Sequence, residues 1–330
     1  MPDFLPLLAG PDRLIVLLLA LALDAYLGDW GPVSRATSPP ARLVRAAARI
    51  AERRLNRLQR SEATRRARGA LLVAALVLPA AAFGWFAAGL AEGFPYGWLA
   101  DLYLLLAALG ANRPWTAALA AARALDGGDG ESAREELRGV TRRNLSGSDL
   151  HAVARAGIEL LAHSLGRHAV APLFWYVLLG LPGLLVWLVV EAMDAELGRT
   201  VSSQAGFGAA AVRTARFLGL LPALLAGLLA ATAASFVATA RLRPAVAAMV
   251  RDARRYRRFN DESCPAAAFA GALDLSLGGP RREGEVVVRA PWIGQGRARA
   301  TAADLRRAVA LYWTSLLVAG GAVAALALAA

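Results

Sequence analysis

Four stretches of this chain, 70–90, 169–190, 217–240 and 308–330, each run for about twenty residues or more without a charged side chain. A helix needs about 20 apolar residues to cross the roughly 30 Å hydrocarbon core of a bilayer. Buried helices of soluble proteins seldom go that far without a charge, so these blocks are read as membrane-crossing helices. Two shorter apolar stretches, 14–30 and 98–112, carry Asp24 and Asp101 and complete a six-span reading. The segment before the first stretch holds two acids and a single Arg, and no small-x-small cleavage site follows cleanly. The first stretch is therefore expected to be a retained span and not a removed signal. The expected fold class is all-α: one polytopic helical membrane domain over 1–330, with amphipathic helices in its loops.

Charge sets the expected orientation. All 37 basic residues are Arg, which excludes a P-loop lysine, a Schiff-base lysine and a lysine general base. The net charge of +12 does not make a nucleic-acid surface, because the arginines crowd the loops that flank the apolar blocks. Eleven fall between Arg35 and Arg68 and fourteen between Arg241 and Arg307, the pattern of positive-inside loops. Loops 31–69, 113–168 and 241–307 are thus expected in the cytoplasm. The same count leaves 91–97 and 193–216 outside. The lone Cys264 excludes an internal disulfide and any cysteine-based metal cluster.

Several groups in this frame have the chemistry of a site. Asp24 lies in an apolar run, where an ionised group costs about 2.5–3.5 kcal/mol at the centre of a span. It fits a substrate- or cation-facing acid, or an acid reaching headgroup water. Arg155, Glu159, His163 and Arg167 repeat every four residues and so form one stripe on a helix. The stripe fits an anion-binding face with Glu159 as acid, base or ligand, or a solvated, salt-bridged surface. His163 and His168, five residues apart, do not share a face, which argues against a helical two-His metal site. Asp194 and Glu196 follow the fourth long block, with Gly198 expected to end that helix. Arg142 to Asp149 combines two cations with short polar groups, a composition suited to phosphate. Asn260 to Pro265 precedes a small-residue helix expected over 266–277, with Asp261 or Ser263 as its cap. Gly278-Gly279-Pro280 is expected to end that helix. Glu285 to Arg289 reads as a short strand or extended loop.

Taken in order, these pieces resemble the cobinamide-phosphate synthase family of cobalamin biosynthesis, CobD/CbiB. The likeness covers nearly the whole chain. It runs through Leu23-Asp24-Ala25-Tyr26-Leu27-Gly28-Asp29, Ala133-Arg134, Arg143-Asn144-Leu145-Ser146, Ala154-Arg155-Ala156-Gly157-Ile158-Glu159 and Ala171-Pro172-Leu173-Phe174-Trp175. Asp194, Arg213 and Ala270-Gly271-Ala272-Leu273 continue it. The resemblance implies a multi-pass protein of the bacterial inner membrane with its active face in the cytoplasm. It implies ligation of aminopropanol, or its phosphate, to the corrinoid cobyric acid, with ATP and Mg²⁺ as cofactors and adenosylcobinamide-phosphate synthase activity. Other enzymes of the pathway are expected as partners, besides the lipid bilayer. On the same basis Asp24, Asp29, Glu159 and Asp194 are the expected catalytic acids, and Arg143, Arg155, Arg213 and His163 the expected substrate-binding groups. The resemblance assigns no metal ligands. The chain departs from the family pattern where His163-Ser164 replaces a Glu-Asn pair, Arg167 an Asp, and Ala215-Arg216 a paired Asp. A catalytically degenerate relative that binds corrinoid or scaffolds the pathway therefore stands beside the synthase reading.

Overall fold

The computed structural model describes residues 13–27, 36–57, 59–94, 96–141, 143–198, 206–256, 263–283 and 286–329. Within them the chain is all-α apart from one hairpin. The helices are α1 (Arg13–Leu27), α2 (Pro39–Leu55), α3 (Glu62–Glu92), α4 (Trp98–Ala108), α5 (Asn112–Asp126) and α6 (Gly130–Leu137). They continue as α7 (Leu150–Ser164), α8 (Ala171–Leu197), α9 (Ala209–Ala233), α10 (Leu242–Tyr256), α11 (Ser263–Leu273) and α12 (Ala302–Ala329). Strands β1 (Leu277–Glu283) and β2 (Val286–Ile293) pair antiparallel between α11 and α12. Four helical runs, Glu62–Ala91, Leu150–Leu197, Ala209–Ala233 and Ala302–Ala329, are long and apolar enough to cross a membrane. Their outer faces match that length: Leu71, Leu78, Phe83, Trp85 and Phe86 on α3 are all exposed, a continuous apolar surface that water would not tolerate on a monomer.

Contacts divide the chain into two compact units. Unit 1 comprises Met1–Gly110, Ala171–Leu218 and Gly320–Ala330; unit 2 comprises Ala111–Val170 and Gly219–Ala319. In unit 1, Ala48 of α2 is buried with Leu188, Val190, Met193 and Leu197 of α8 and with Phe207, Ala211 and Ala215, and Leu72 and Val73 of α3 pack around them. Gly69 meets the Phe207 backbone so closely that a Cβ would collide with its carbonyl. Arg49 donates from Nε and Nη2 to the two carboxylate oxygens of Glu196, at 2.8 and 3.1 Å. Ala48, Arg49 and Gly69 therefore share one end of unit 1 with Met193, Glu196, Leu197, Phe207 and Ala211. The arginine count had separated them, with 31–69 inside and 193–216 outside.

The cause is a break in α8. Gly180 has φ 65° and ψ −149°, a region open essentially to glycine alone. Beyond it, a Cβ on Gly183 would stand 2.5 Å from the carbonyl oxygen of Trp175. Eight residues of straight helix would carry the chain about 12 Å along its axis. The block 169–190, read as one crossing, is thus bent back at Gly180, and Gly84 of α3 abuts Leu181 and Pro182 at the bend. Gly180→Ala is expected to cost about 1–3 kcal/mol, visible as a lower melting temperature of the purified protein. An unchanged melt would mean that the bend relaxes without loss.

Unit 2 is assembled through small residues and well-formed caps. Gly157 of α7 faces the Leu305 side chain of α12, and Gly271 of α11 lies against the Pro244 backbone of α10. Asp129 caps α6 by accepting from Ser132 N at 3.0 Å, and Asp149 caps α7 by accepting from Ala152 N at 2.6 Å. Thr301 and Asp304 form a reciprocal capping box at the start of α12, with N–H to side-chain distances of 2.9 and 3.4 Å.

Two expectations change here. The helix expected over 266–277 spans Ser263–Leu273 and does not reach Gly278-Gly279-Pro280. Asp274 adopts a left-handed φ of 56°, and Leu275 N closes on Ala270 O at 2.9 Å, the 6→1 bond by which a Schellman motif ends a helix. The Gly-Gly-Pro lies instead in β1. The four-residue stripe is also interrupted. α7 stops at Ser164, and Leu165–Val170 form one turn of π-helix. Arg167 lies in that segment and is 5% exposed, whereas Arg155, Glu159 and His163 are only partly buried.

Candidate functional site

In unit 2, α7 presents Arg155 and Glu159 one turn apart, toward the segment that carries the hairpin. Glu159 Oε1 accepts from the backbone N–H of Gly278 at 2.9 Å, and Oε2 accepts from the Arg143 guanidinium. Gly278 offers that N–H from φ 78°, where a Cβ would also stand only 2.7 Å from the Pro291 carbonyl oxygen. A glycine is required at that position on both counts. Arg155 lies over the Trp292 ring at 5.5 Å and donates to the Ala298 carbonyl. One turn earlier, His151 Nδ1 is 2.8 Å from the Ala300 carbonyl oxygen. The stripe is therefore covered by Gly278, Trp292, Ala298 and Ala300 and is not a solvated face. His163, the next residue of the stripe, is half-buried.

Beside this pair, α6 and the loop 143–148 enclose a cleft of about 330 Å³ whose lining includes Glu131, Arg134, Arg138, Arg143, Asn144 and Ser146. The loop is built by local bonds: Asn144 Oδ1 accepts from Ser146 N at 3.0 Å, and Ser148 N donates to Leu145 O at 3.0 Å. Arg134 clamps it from α6, donating from Nε and Nη2 to the Ser148 carbonyl at 3.2 and 2.8 Å. Three guanidinium groups and one carboxylate thus face the cleft, an arrangement that attracts anions.

Of the other expected site residues, Asp24 and Asp194 are buried in unit 1, at 5% and 2% exposure. Arg213 is an exposed residue of the same unit. Asp29 lies outside the described residues. The structure thus joins Arg143 directly to Glu159 and places Arg155 on the same face, whereas Asp24, Asp194 and Arg213 belong to unit 1. Among the described residues, no group of three or more His, Cys, Asp or Glu side chains is placed to hold a metal ion.

Several polar groups carry no motif that would mark them in advance. Asp252 is 2% exposed and accepts from Arg251 and from the Gly294 N–H at 2.9 Å. The Arg251 guanidinium is held above its ordinary value by that bond. In unit 1, the Tyr176 hydroxyl donates to Asp101 at 2.5 Å. Burial pushes the Cys264 thiol up, against a smaller opposing effect from Ser263. Because the thiolate is the reactive form, maleimide should label Cys264 several-fold more slowly than free cysteine at neutral pH, and faster as pH rises. Labelling at the free-thiol rate would show that α11 opens readily.

The CobD/CbiB protein family model matches residues 17–312 of this chain. The chain belongs to the CobD/CbiB family. Among similar curated proteins is a cobalamin biosynthesis protein CobD from Brucella melitensis, 33% identical over 319 residues that cover 96% of this chain and 97% of the relative. A CobD from Sinorhizobium sp. is 32% identical over 322 residues, covering 96% and 98% of the two chains. One from Rhodobacter capsulatus is 37% identical over 193 residues, covering 58% and 60%. No solved structure matches. The matched region reaches into both units, so the Glu159–Arg143 pair and Asp24 and Asp194 of unit 1 all fall within it.

Proposed function

We propose that the chain is a cobalamin-biosynthesis synthase of the inner membrane that joins aminopropanol, or its phosphate, to cobyric acid. The ligation forms an amide at the expense of ATP on the cytoplasmic face. The single observation that best supports this reading is the coupling of a carboxylate, Glu159, to an arginine that lines an anion-attracting cleft. Amide formation requires the attacking amine to lose a proton, and a carboxylate within reach of the nitrogen accepts it. It also requires cations around the phosphate groups of substrate or nucleotide, which arginines supply in bidentate fashion. ATP would activate the corrinoid carboxyl group. Mg²⁺ held mainly by nucleotide phosphates needs only one or two protein carboxylates, so a three-acid cluster is not demanded. Asp24, Asp29 and Asp194 remain proposed contributors, with Arg155, Arg213 and His163 toward the substrate.

A second reading, a relative that binds corrinoid or scaffolds the pathway without turnover, is favoured by Arg167. This buried cation stands where the family pattern has an acid, and a cation there opposes a metal ion. One experiment separates the two. A synthase-deleted cobalamin auxotroph fed cobyric acid should regain growth when it expresses this chain. Failure to grow, with folded protein shown in the membrane fraction, would reject the synthase. Corrinoid retained on that inactive protein would establish the second reading.

A further inference from the structure

We propose that the cleft between α6 and the loop 143–148 binds a phosphate-type oxyanion, and that Arg143 exchanges Glu159 for that anion when it enters. The inference rests on the synthase reading of the same site and adds what the cleft takes and how it communicates with the carboxylate.

The three arginines at the cleft are held in different ways. Arg134 is committed to the fold: two of its donors hold the Ser148 carbonyl and a third meets Glu131 at 2.9 Å. Arg138 is paired, among the described residues, with Glu135 at 2.9 Å, and both side chains are more than 60% exposed. Such surface pairs are weak and readily traded for another acceptor. Arg143 pairs with Glu159, and both side chains are largely buried, at 13% and 16% exposure. A guanidinium has five N–H donors and no acceptor, so it can turn from a single carboxylate to a doubly charged oxyanion while part of its fork stays engaged. Glu159 does not depend on Arg143 alone, because the Gly278 N–H also holds it.

The charge balance selects the ligand. Glu131, Glu135 and Glu159 balance Arg134, Arg138 and Arg143 while the cleft is empty, and a phosphate dianion brings the two charges needed to take over Arg138 and Arg143 together, which a lone carboxylate does not. Anion entry would therefore release Glu159 from its cation and leave it free to accept a proton. The empty site keeps the carboxylate masked.

The test uses the purified full-length chain in lipid nanodiscs and measures binding of inorganic phosphate by calorimetry. Arg138→Gln and Arg143→Gln should each weaken binding by about tenfold or more, the range for hydrogen bonds to charged groups. Glu159→Gln should tighten it several-fold, because the competitor for Arg143 is gone. Displacement of phosphate by O-phosphoethanolamine would assign the anion to a small phosphomonoester, and displacement by adenylyl-imidodiphosphate to a nucleotide; either result upholds an oxyanion site. The inference is overturned by phosphate binding that ignores Arg138 and Arg143, by no binding, or by Glu159→Gln binding no tighter than the parent. Arg138 is exposed, so its variant tests the site even where a Glu159 or Arg143 variant fails to fold. Failed growth rescue with this binding pattern intact would remove the synthase reading and leave the oxyanion site standing.

Discussion

Asp304→Ala should destabilise unit 2 by about 3 kcal/mol, the largest stability loss expected from a single polar group. The Asp304 carboxylate is 1% exposed and accepts from four donors. These are the backbone N–H and hydroxyl of Thr301, at 2.9 and 2.8 Å, and the guanidinium groups of Arg297 and Arg307. The lost cap contributes about 1 kcal/mol. Each hydrogen bond to a charged group adds about 1.5–3 kcal/mol, discounted because Arg297 and Arg307 are 51% and 28% exposed and regain water. Asp304→Asn, which keeps one acceptor, should lose about half as much. The measurement is reversible denaturation of the protein in a bilayer mimic. A loss below about 1 kcal/mol would mean that solvent replaces the carboxylate fully.

If the proposed ligation is carried out with Glu159 as proton acceptor, Glu159→Gln should lower its rate by about 10²–10⁴-fold, the usual contribution of a positioned proton acceptor. The amide side chain still accepts from the Gly278 N–H but leaves the largely buried Arg143 without its counter-charge, so the melting temperature should fall and the rate is compared on folded protein. Glu159→Asp should keep more activity than the glutamine variant, because it keeps the charge on a shorter side chain. The assay follows conversion of cobyric acid and aminopropanol, or its phosphate, with ATP. A loss of less than about tenfold would reduce Glu159 to a residue that positions Arg143.

Much of this architecture was legible because hydrophobicity and capping are local. The uncharged blocks announced the long helices. Ser61, Asp129, Asp149 and Thr301 stand immediately before α3, α6, α7 and α12, where short polar side chains satisfy the first N–H groups of a helix. The union of Arg143 with Glu159 was legible only as two separate candidates. What escaped is what depends on backbone angles or on distant partners. Nothing in Leu179-Gly180-Leu181-Pro182 fixes φ at 65° without the packing of α3 around it, and hydropathy treats both arms of the bend as one block. Arg49 and Glu196 lie 147 residues apart, so their pairing, and with it the side assigned to 193–216, has no local signal. The four-residue spacing likewise runs unbroken through the π segment Leu165–Val170, so the burial of Arg167 has no local signal.

The bend at Gly180 bears on how the chain enters a bilayer during synthesis. Residues 182–197 make only about 24 Å of helix, short of the roughly 30 Å that an autonomous crossing must cover, and Glu191, Asp194 and Glu196 sit in its final turns. Such a piece is a poor substrate for the translocon when it arrives by itself. It gains shelter only as the second limb of a hairpin already held by its predecessor and by α3. Integration of this part of the protein is thereby tied to the order in which its helices emerge from the ribosome.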